Sequence, residues 1–220
     1  MKNRGMILVS CAVVLLLAAA SFYAGQRLPV DARVPVHWNA AGQIDGYAGK
    51  WAGLAIAPVL ALAVSLIFVV IGIAEPQRTN LAKSRAVVTI TWGGMLGAAI
   101  VVEFAQIGTL LGRAVPVATL IVGGIGLFFI VLGNQLSKSR PMYMVGIRTP
   151  WTLADPDVWI ATHRLGGKLM MAAGLVWLVA AACGWVGAFA LLPLLLVTMA
   201  ASLIPVVYSY LLWRRIGKSA

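Results

Sequence analysis

Residues 169–213 read LMMAAGLVWLVAAACGWVGAFALLPLLLVTMAASLIPVVYSYLLW, 45 residues without a charged side chain. A single α-helix of that length would be about 67 Å long, roughly twice the hydrocarbon core of a bilayer. The stretch must fold back on itself, and Gly184-Trp185-Val186-Gly187 is its natural turn. Two antiparallel spans therefore close the chain. Working towards the N-terminus, four more apolar runs follow the same rule: Ala114–Leu132, Ala86–Leu111 (interrupted by Glu103), Trp51–Ala74 and Met6–Ala24. With 61% hydrophobic and 10% charged residues, against about 25% charged in a soluble domain, the chain has too little polar surface to face water. The expected fold is an all-α integral membrane protein of about six transmembrane helices.

The loops fix its orientation. Lys2, Arg4, Arg78, Lys83, Arg85, Lys138, Arg140, Arg148, Arg164, Lys168, Arg214, Arg215 and Lys218 fall on one side, and only Arg27, Arg33, Lys50 and Arg113 on the other. Cytoplasmic loops carry the excess of Lys and Arg, so both termini are cytoplasmic. This distribution also accounts for the net charge of +11, which predicts contact with membrane lipids and not with nucleic acid. A competing reading of the start, Lys2 and Arg4 followed by an apolar stretch and Ala18-Ala19-Ala20, is a cleavable signal peptide, which would leave five spans. The apolar stretch runs on through Phe22 and Ala24, longer than a usual signal core, and favours a retained span. Cys11 and Cys183 sit inside apolar runs towards opposite faces, which predicts two buried small hydrophobes and no disulfide.

Two loops carry the remaining information, and they divide the chain into residues 1–74, two spans with the outer loop, and 75–220, the remaining membrane domain with the inner loop. The outer loop, 25–50, has prolines that favour extended backbone and turn signals at Asn39-Ala40-Ala41-Gly42 and Asp45-Gly46. It is expected to be compact and turn-rich. Pro35, His37, Trp38, Asn39, Gly42, Asp45 and Lys50 are its candidate binding residues, although Trp38 and Tyr47 also suit simple packing at the interface. His37 and His163 fall on opposite sides of the membrane and cannot share an ion, and no ligand spacing points to zinc.

The inner loop, 133–168, offers Asn134, Arg140, Gly146, Arg148, Thr149, Pro150, Trp151, Trp159, His163 and Arg164 as candidates. Asp155 reads as an N-cap with Pro156 at the first helical position. The predicted helix, Pro156 to about Leu165, turns Val158, Trp159, Thr162 and Leu165 to one face. It is expected to lie in the cytoplasmic interface as an amphipathic helix, stopped by Gly166-Gly167. His163 and Arg164 there suit lipid head groups or nearby carbonyls, or a cytoplasmic site with Arg148, Thr149 and Trp151.

Glu103 is the one charge expected within a span, about 26 Å from the cytoplasmic start of its helix and so near the outer face. The structural readings are a protonated carboxyl, snorkelling to the outer interface and, favoured among them, a pair with Arg33 or Arg113. Gln106 is expected to share its network, and an intramembrane carboxyl is otherwise a functional group. No nucleophile, base and acid recur at catalytic spacing, and the reading is of a non-enzyme without a cofactor or metal.

Two stretches carry a family resemblance. Pro35-Val36-His37-Trp38-Asn39, Gly42, Asp45-Gly46 and Lys50 resemble the short extracytoplasmic signature of a bacterial domain of unknown function that often precedes an SdpI-type membrane domain. Gly133-Asn134, Arg140-Pro141, Gly146-Ile147-Arg148-Thr149-Pro150-Trp151-Thr152-Leu153, Trp159 and Thr162-His163-Arg164-Leu165-Gly166-Gly167 resemble the SdpI signature itself. Met142 departs from the Asn expected after the proline, which puts polar contacts at that position in doubt. The resemblance implies an immunity and signalling protein of the cytoplasmic membrane. Its outer loop would meet a secreted, membrane-active peptide toxin, and its inner loop would hold a transcriptional repressor. The alternative is a small proton-linked transporter or efflux component using Glu103.

Overall fold

The structure, a computed structural model, describes residues 4–216; Lys2 and Lys218, two of the expected inner charges, lie outside the described residues. Six helices are long and apolar enough to cross a membrane. They are α1 (Arg4–Arg27), a second span made of α2 (Lys50–Leu54) and α3 (Ile56–Ala74), α5 (Arg85–Leu110), α6 (Val117–Leu136), α8 (Pro156–Ala182) and α9 (Ala188–Ile216). Two short helices, α4 (Arg78–Lys83) and α7 (Pro150–Ala154), precede α5 and α8. The fold-back in the 45-residue apolar run falls where the turn chemistry placed it. Gly184 and Gly187 take φ of 67° and 111°, between the end of α8 and the start of α9.

Three expectations are corrected. The outer loop is a β-hairpin, β1 (Arg33–Trp38) against β2 (Ile44–Gly49), added to an otherwise helical chain. There is no separate interfacial helix over Pro156–Leu165. Those residues are the first turns of α8, which runs unbroken through Gly166-Gly167 to Ala182. Asp155 does cap it, accepting from the N–H of Asp157 and of Val158, and the face assignment holds: Val158, Trp159 and Thr162 are buried while Asp157, Arg164 and Lys168 are exposed. Cys11 and Cys183 are exposed on the outside of the bundle, where lipid rather than protein surrounds a span.

The glycines of α8 explain why the helix continues. With no water in the hydrocarbon to take up freed carbonyls, a membrane helix keeps its own hydrogen bonds through Gly, and Gly serves close packing instead. A Cβ on Gly167 would lie 2.5 Å from the Gly133 carbonyl oxygen, and one on Gly133 would lie 2.6 Å from that of Gly167. One heptad along, Gly126 and Gly174 repeat the arrangement at 2.8 and 2.6 Å. The antiparallel helices α6 and α8 thus touch backbone to backbone along a two-step seam.

The core forms around two centres. One joins α1, α3 and α5 through Leu17, Ala57, Ala61, Val64, Phe68, Val88, Trp92, Leu96 and Ala99, with Phe68 and Trp92 stacked at 5.4 Å. Met142 and Trp159 reach into this cluster from the end that carries the loop between α6 and α8. The other joins α6, α8 and α9 through Val122, Trp177, Ala180, Ala190 and Leu194, and there the Trp177 Nε1–H donates to Thr198 at 3.0 Å.

Candidate functional site

On the outer face the hairpin is built by its turn and by one contact from a span. The Asn39 side-chain oxygen accepts from the N–H groups of Ala41 and Gln43, both at 3.0 Å. Gly42 takes a φ of 77° and donates its N–H to the Asn39 carbonyl at 2.8 Å. This is the local turn that Asn favours, and the left-handed position is the one that Gly fills without strain. The register slips at His37, which faces Gly46; a Cβ on Gly46 would stand 2.9 Å from that of His37. The tip leans on Ala118 at the start of α6.

The base of the hairpin is fastened to the membrane domain. Val34 is fully buried against Gly53 of α2, where a Cβ would lie 2.6 Å away. The buried Gln106 of α5 donates its Nε2–H groups to the carbonyls of Pro35 and Gly53, each at 3.1 Å. Gln106 is therefore a hairpin anchor and not a partner of Glu103. The Lys50 ammonium donates to the Leu28 carbonyl at 3.1 Å, tying the end of α1 to the start of α2. What remains for a visitor is His37 and Asp45, 2.5 Å apart with side chains 71% and 43% exposed, together with half-buried Trp38 and exposed Tyr47. An exposed pair of this kind adds little to stability, so its chemistry is available on the surface.

Beneath the hairpin, Glu103 is buried. The Ser21 hydroxyl of α1 lies 2.8 Å from Glu103 Oε1 and 2.7 Å from the Leu54 carbonyl oxygen, so one hydroxyl proton faces two acceptors. Glu103 Oε2 has no partner among the described residues. The expected pair with Arg33 or Arg113 is not formed. His37 does pair with Asp45, on the hairpin above.

On the inner face the loop between α6 and α8 is a closed knot. Its organiser was not evident in the sequence: Glu75, fully buried at the C-terminal end of α3. Its carboxylate accepts from the N–H of Gln77 at 2.9 Å, of Tyr143 at 3.0 Å and of Met144 at 2.8 Å. The Asn80 amide donates to the Pro141 carbonyl at 2.8 Å, and the N–H of Arg140 donates to the Ser84 hydroxyl at 2.8 Å. Met142, 1% exposed, fills the core below and makes its contribution by packing.

His163 closes the other side of the knot. Its ring is fully buried and stacks on Trp159 at 4.0 Å, so it meets no lipid head group. The N–H of Ile147 can only donate, so His163 Nε2, 2.9 Å away, accepts; Nδ1 then carries the proton, 2.8 Å from the Trp159 carbonyl. The ring is held neutral in one tautomer. Gly146 lies over this stack with φ of 123°, and a Cβ there would be 2.7 Å from His163 Nε2. Trp159 Nε1–H donates to the Ser139 hydroxyl at 3.3 Å.

Thr149 and Thr152 form a capping box at the start of α7, with Pro150 at its first position. Trp151 Nε1–H donates to the Ser209 hydroxyl of α9, and Trp151 packs on Tyr210 at 5.2 Å. The Arg148 guanidinium donates to the Tyr143 carbonyl at 2.6 Å. The candidate inner residues thus divide. Gly146, Thr149, Trp151, Trp159 and His163 hold the loop's shape. Asn134, Arg140, Arg148, Pro150 and Arg164 are exposed, and Tyr143 and Met144 join them on the surface.

These features define a multi-pass membrane protein that shows one ordered surface to each side. Residues 138–209 match the SdpI/YfhL protein family, and residues 12–62 match the domain of unknown function DUF1648. At full length the chain is similar to the immunity protein SdpI of Bacillus subtilis (strain 168), being 25% identical over 212 residues that cover 96% of this chain and 98% of that protein. No solved structure matches it.

Proposed function

We propose that this chain is an immunity protein of the cytoplasmic membrane. It protects the cell that makes it against a secreted, membrane-active peptide. The observation that carries the reading is the similarity to an immunity protein along nearly the whole of both chains, hairpin and inner loop included. The architecture supports it in two ways. The exposed His37–Asp45 pair stands on a hairpin fixed to the spans, a surface able to recognise a peptide arriving from outside. The inner loop presents Arg140, Tyr143, Met144 and Arg148 on a rigid frame, a surface able to hold a transcriptional regulator once the peptide is sensed.

The test is deletion followed by challenge with peptides secreted by the same and neighbouring strains. Sensitisation to at least one peptide, reversed by the wild-type gene, is the expected result. Unchanged sensitivity to all of them overturns the reading.

A further inference from the structure

A groove of about 330 Å³ opens between α1 and α5, below the hairpin and apart from its exposed His37–Asp45 pair. Its walls are Leu17 of α1 and Ile100, Phe104, Ile107 and Leu111 along α5 and its end. Phe104 and Leu111 are 58% and 67% exposed, and on a spanning helix such exposure faces lipid, so the groove is entered from the bilayer. Its lining holds two charged residues, Glu103 and, at the outer end, Arg113.

Glu103 is 4% exposed, with Oε2 unpartnered and Oε1 competing with a carbonyl for one serine proton. A buried acceptor in hydrocarbon without a donor is strongly unfavourable, and a carboxylate more so. The groove therefore complements a ligand that is apolar along its length and brings a cationic donor to the level of Glu103. That level is seven residues, about 10 Å, below the end of α5. A phospholipid acyl chain would fill the apolar walls but carries no donor at this depth. A membrane-inserted polypeptide can carry one there as a lysine whose cost the pairing offsets, and Arg113 at the mouth favours an acidic group or a C-terminal carboxylate above it.

We infer that the α1–α5 groove binds an apolar, membrane-inserted peptide segment whose lysine pairs with Glu103. The biological ligand so described rests on the immunity reading above, a secreted peptide met within the bilayer rather than only at its surface.

The full chain is reconstituted in phosphatidylcholine–phosphatidylglycerol vesicles. The probe is a synthetic 20-residue Leu/Ala helix, with one lysine about a third of the way from its C-terminus and a photoreactive leucine beside it. Labelling of α5 is expected for the lysine probe, and about tenfold or more weaker for the same probe with norleucine or in Glu103→Gln, as for loss of a charge-assisted bond. Ile100→Trp, which fills the groove and leaves the carboxyl in place, removes labelling and covers the case in which Glu103→Gln does not fold. Equal labelling by both probes overturns the site. So does a photoreactive phosphatidylcholine that occupies the groove and is not displaced by the lysine probe. Cells separate the two readings. If deletion sensitises them to a peptide while Glu103→Gln and Ile100→Trp protect fully, the groove fails and immunity stands. If deletion never sensitises them, immunity fails, and probe labelling alone decides the groove.

Discussion

Replacing Gly167 by Ala adds one methyl group to the most crowded backbone contact in the protein. The new Cβ would sit 2.5 Å from the Gly133 carbonyl oxygen and 3.2 Å from Ser137 Cβ. Ordinary contact needs at least about 0.9 Å more, and the obstacle is backbone of another span rather than a movable side-chain tip. Either α6 and α8 separate along the seam or α8 bends, and both loosen the close packing that holds membrane helices together. Overpacking of this kind costs about 1–3 kcal/mol. Gly133→Ala meets the same seam from the other side at 2.6 Å and should cost as much. Because one separation of the helices relieves both clashes, the double variant should lose clearly less than the sum of the two. Gly93, Gly97 and Gly124 are the control, since a Cβ on any of them meets nothing within 4 Å. Alanine there should be neutral or stabilise by about 0.4–1 kcal/mol through helix propensity. The assay is reversible unfolding in bicelles, by denaturing detergent or steric trapping. If Gly133→Ala and Gly167→Ala behave like the three controls, or add without coupling, the seam does not carry the load assigned to it.

Three further outcomes follow from the two faces. Glu75→Gln keeps the shape but sets an NH2 group among backbone N–H donors; a loss of about 1–3 kcal/mol is expected, with faster amide hydrogen exchange at Tyr143 and Met144. Gly146→Ala must adopt a φ of 123° against His163 and Trp159; a loss of about 1–3 kcal/mol and easier proteolysis between Arg140 and Arg148 are expected, while Gly112→Ala, strained but in open space, should lose less. His37→Ala and Arg148→Ala should each abolish protection in challenged cells at unchanged protein level, the first within about 0.5 kcal/mol of wild-type stability and the second, which loses its bond to the Tyr143 carbonyl, within about 1.5 kcal/mol; full protection in both would return these motifs to a purely structural role.

The spans were legible because an apolar run about 20 residues long has one stable form in lipid, and the 45-residue run without a charge could only turn at Gly184–Gly187. Asp155 was legible because capping is local chemistry. The reading failed wherever a residue's partner lies far along the chain. Gly166-Gly167 carries the pattern of a helix stop, and nothing near it in sequence announces Gly133 as its neighbour. Glu75, next to Pro76 at the end of an apolar run, looks like an ordinary loop acid; its partners Tyr143 and Met144 are 68 and 69 residues away. The hairpin was half read: the extended prolines and the Asn39–Gly42 turn were visible, but the pairing depends on Gln106 and Gly53 holding β1 in place. The outer candidates His37, Trp38 and Asp45 do gather on one hairpin. The inner candidates separate into those that shape the loop and those it displays, a division that depends on burial and not on motif membership.

Gln106, Ser21 and Glu75 together leave α2 and α3 without slack. At the outer end the carbonyls of Gly53 and Leu54 are gripped by side chains of α5 and α1, and Gln106 grips Pro35 of the hairpin with the same amide. At the inner end the carboxylate closing α3 grips the loop that carries Arg140 and Arg148. The second span is thus a tie-rod about 30 Å long, fastened at both ends. Tilting or lifting the hairpin must either break the bond from Gln106 to Pro35 or draw on the rod, and a drawn rod pulls on the loop at its other end.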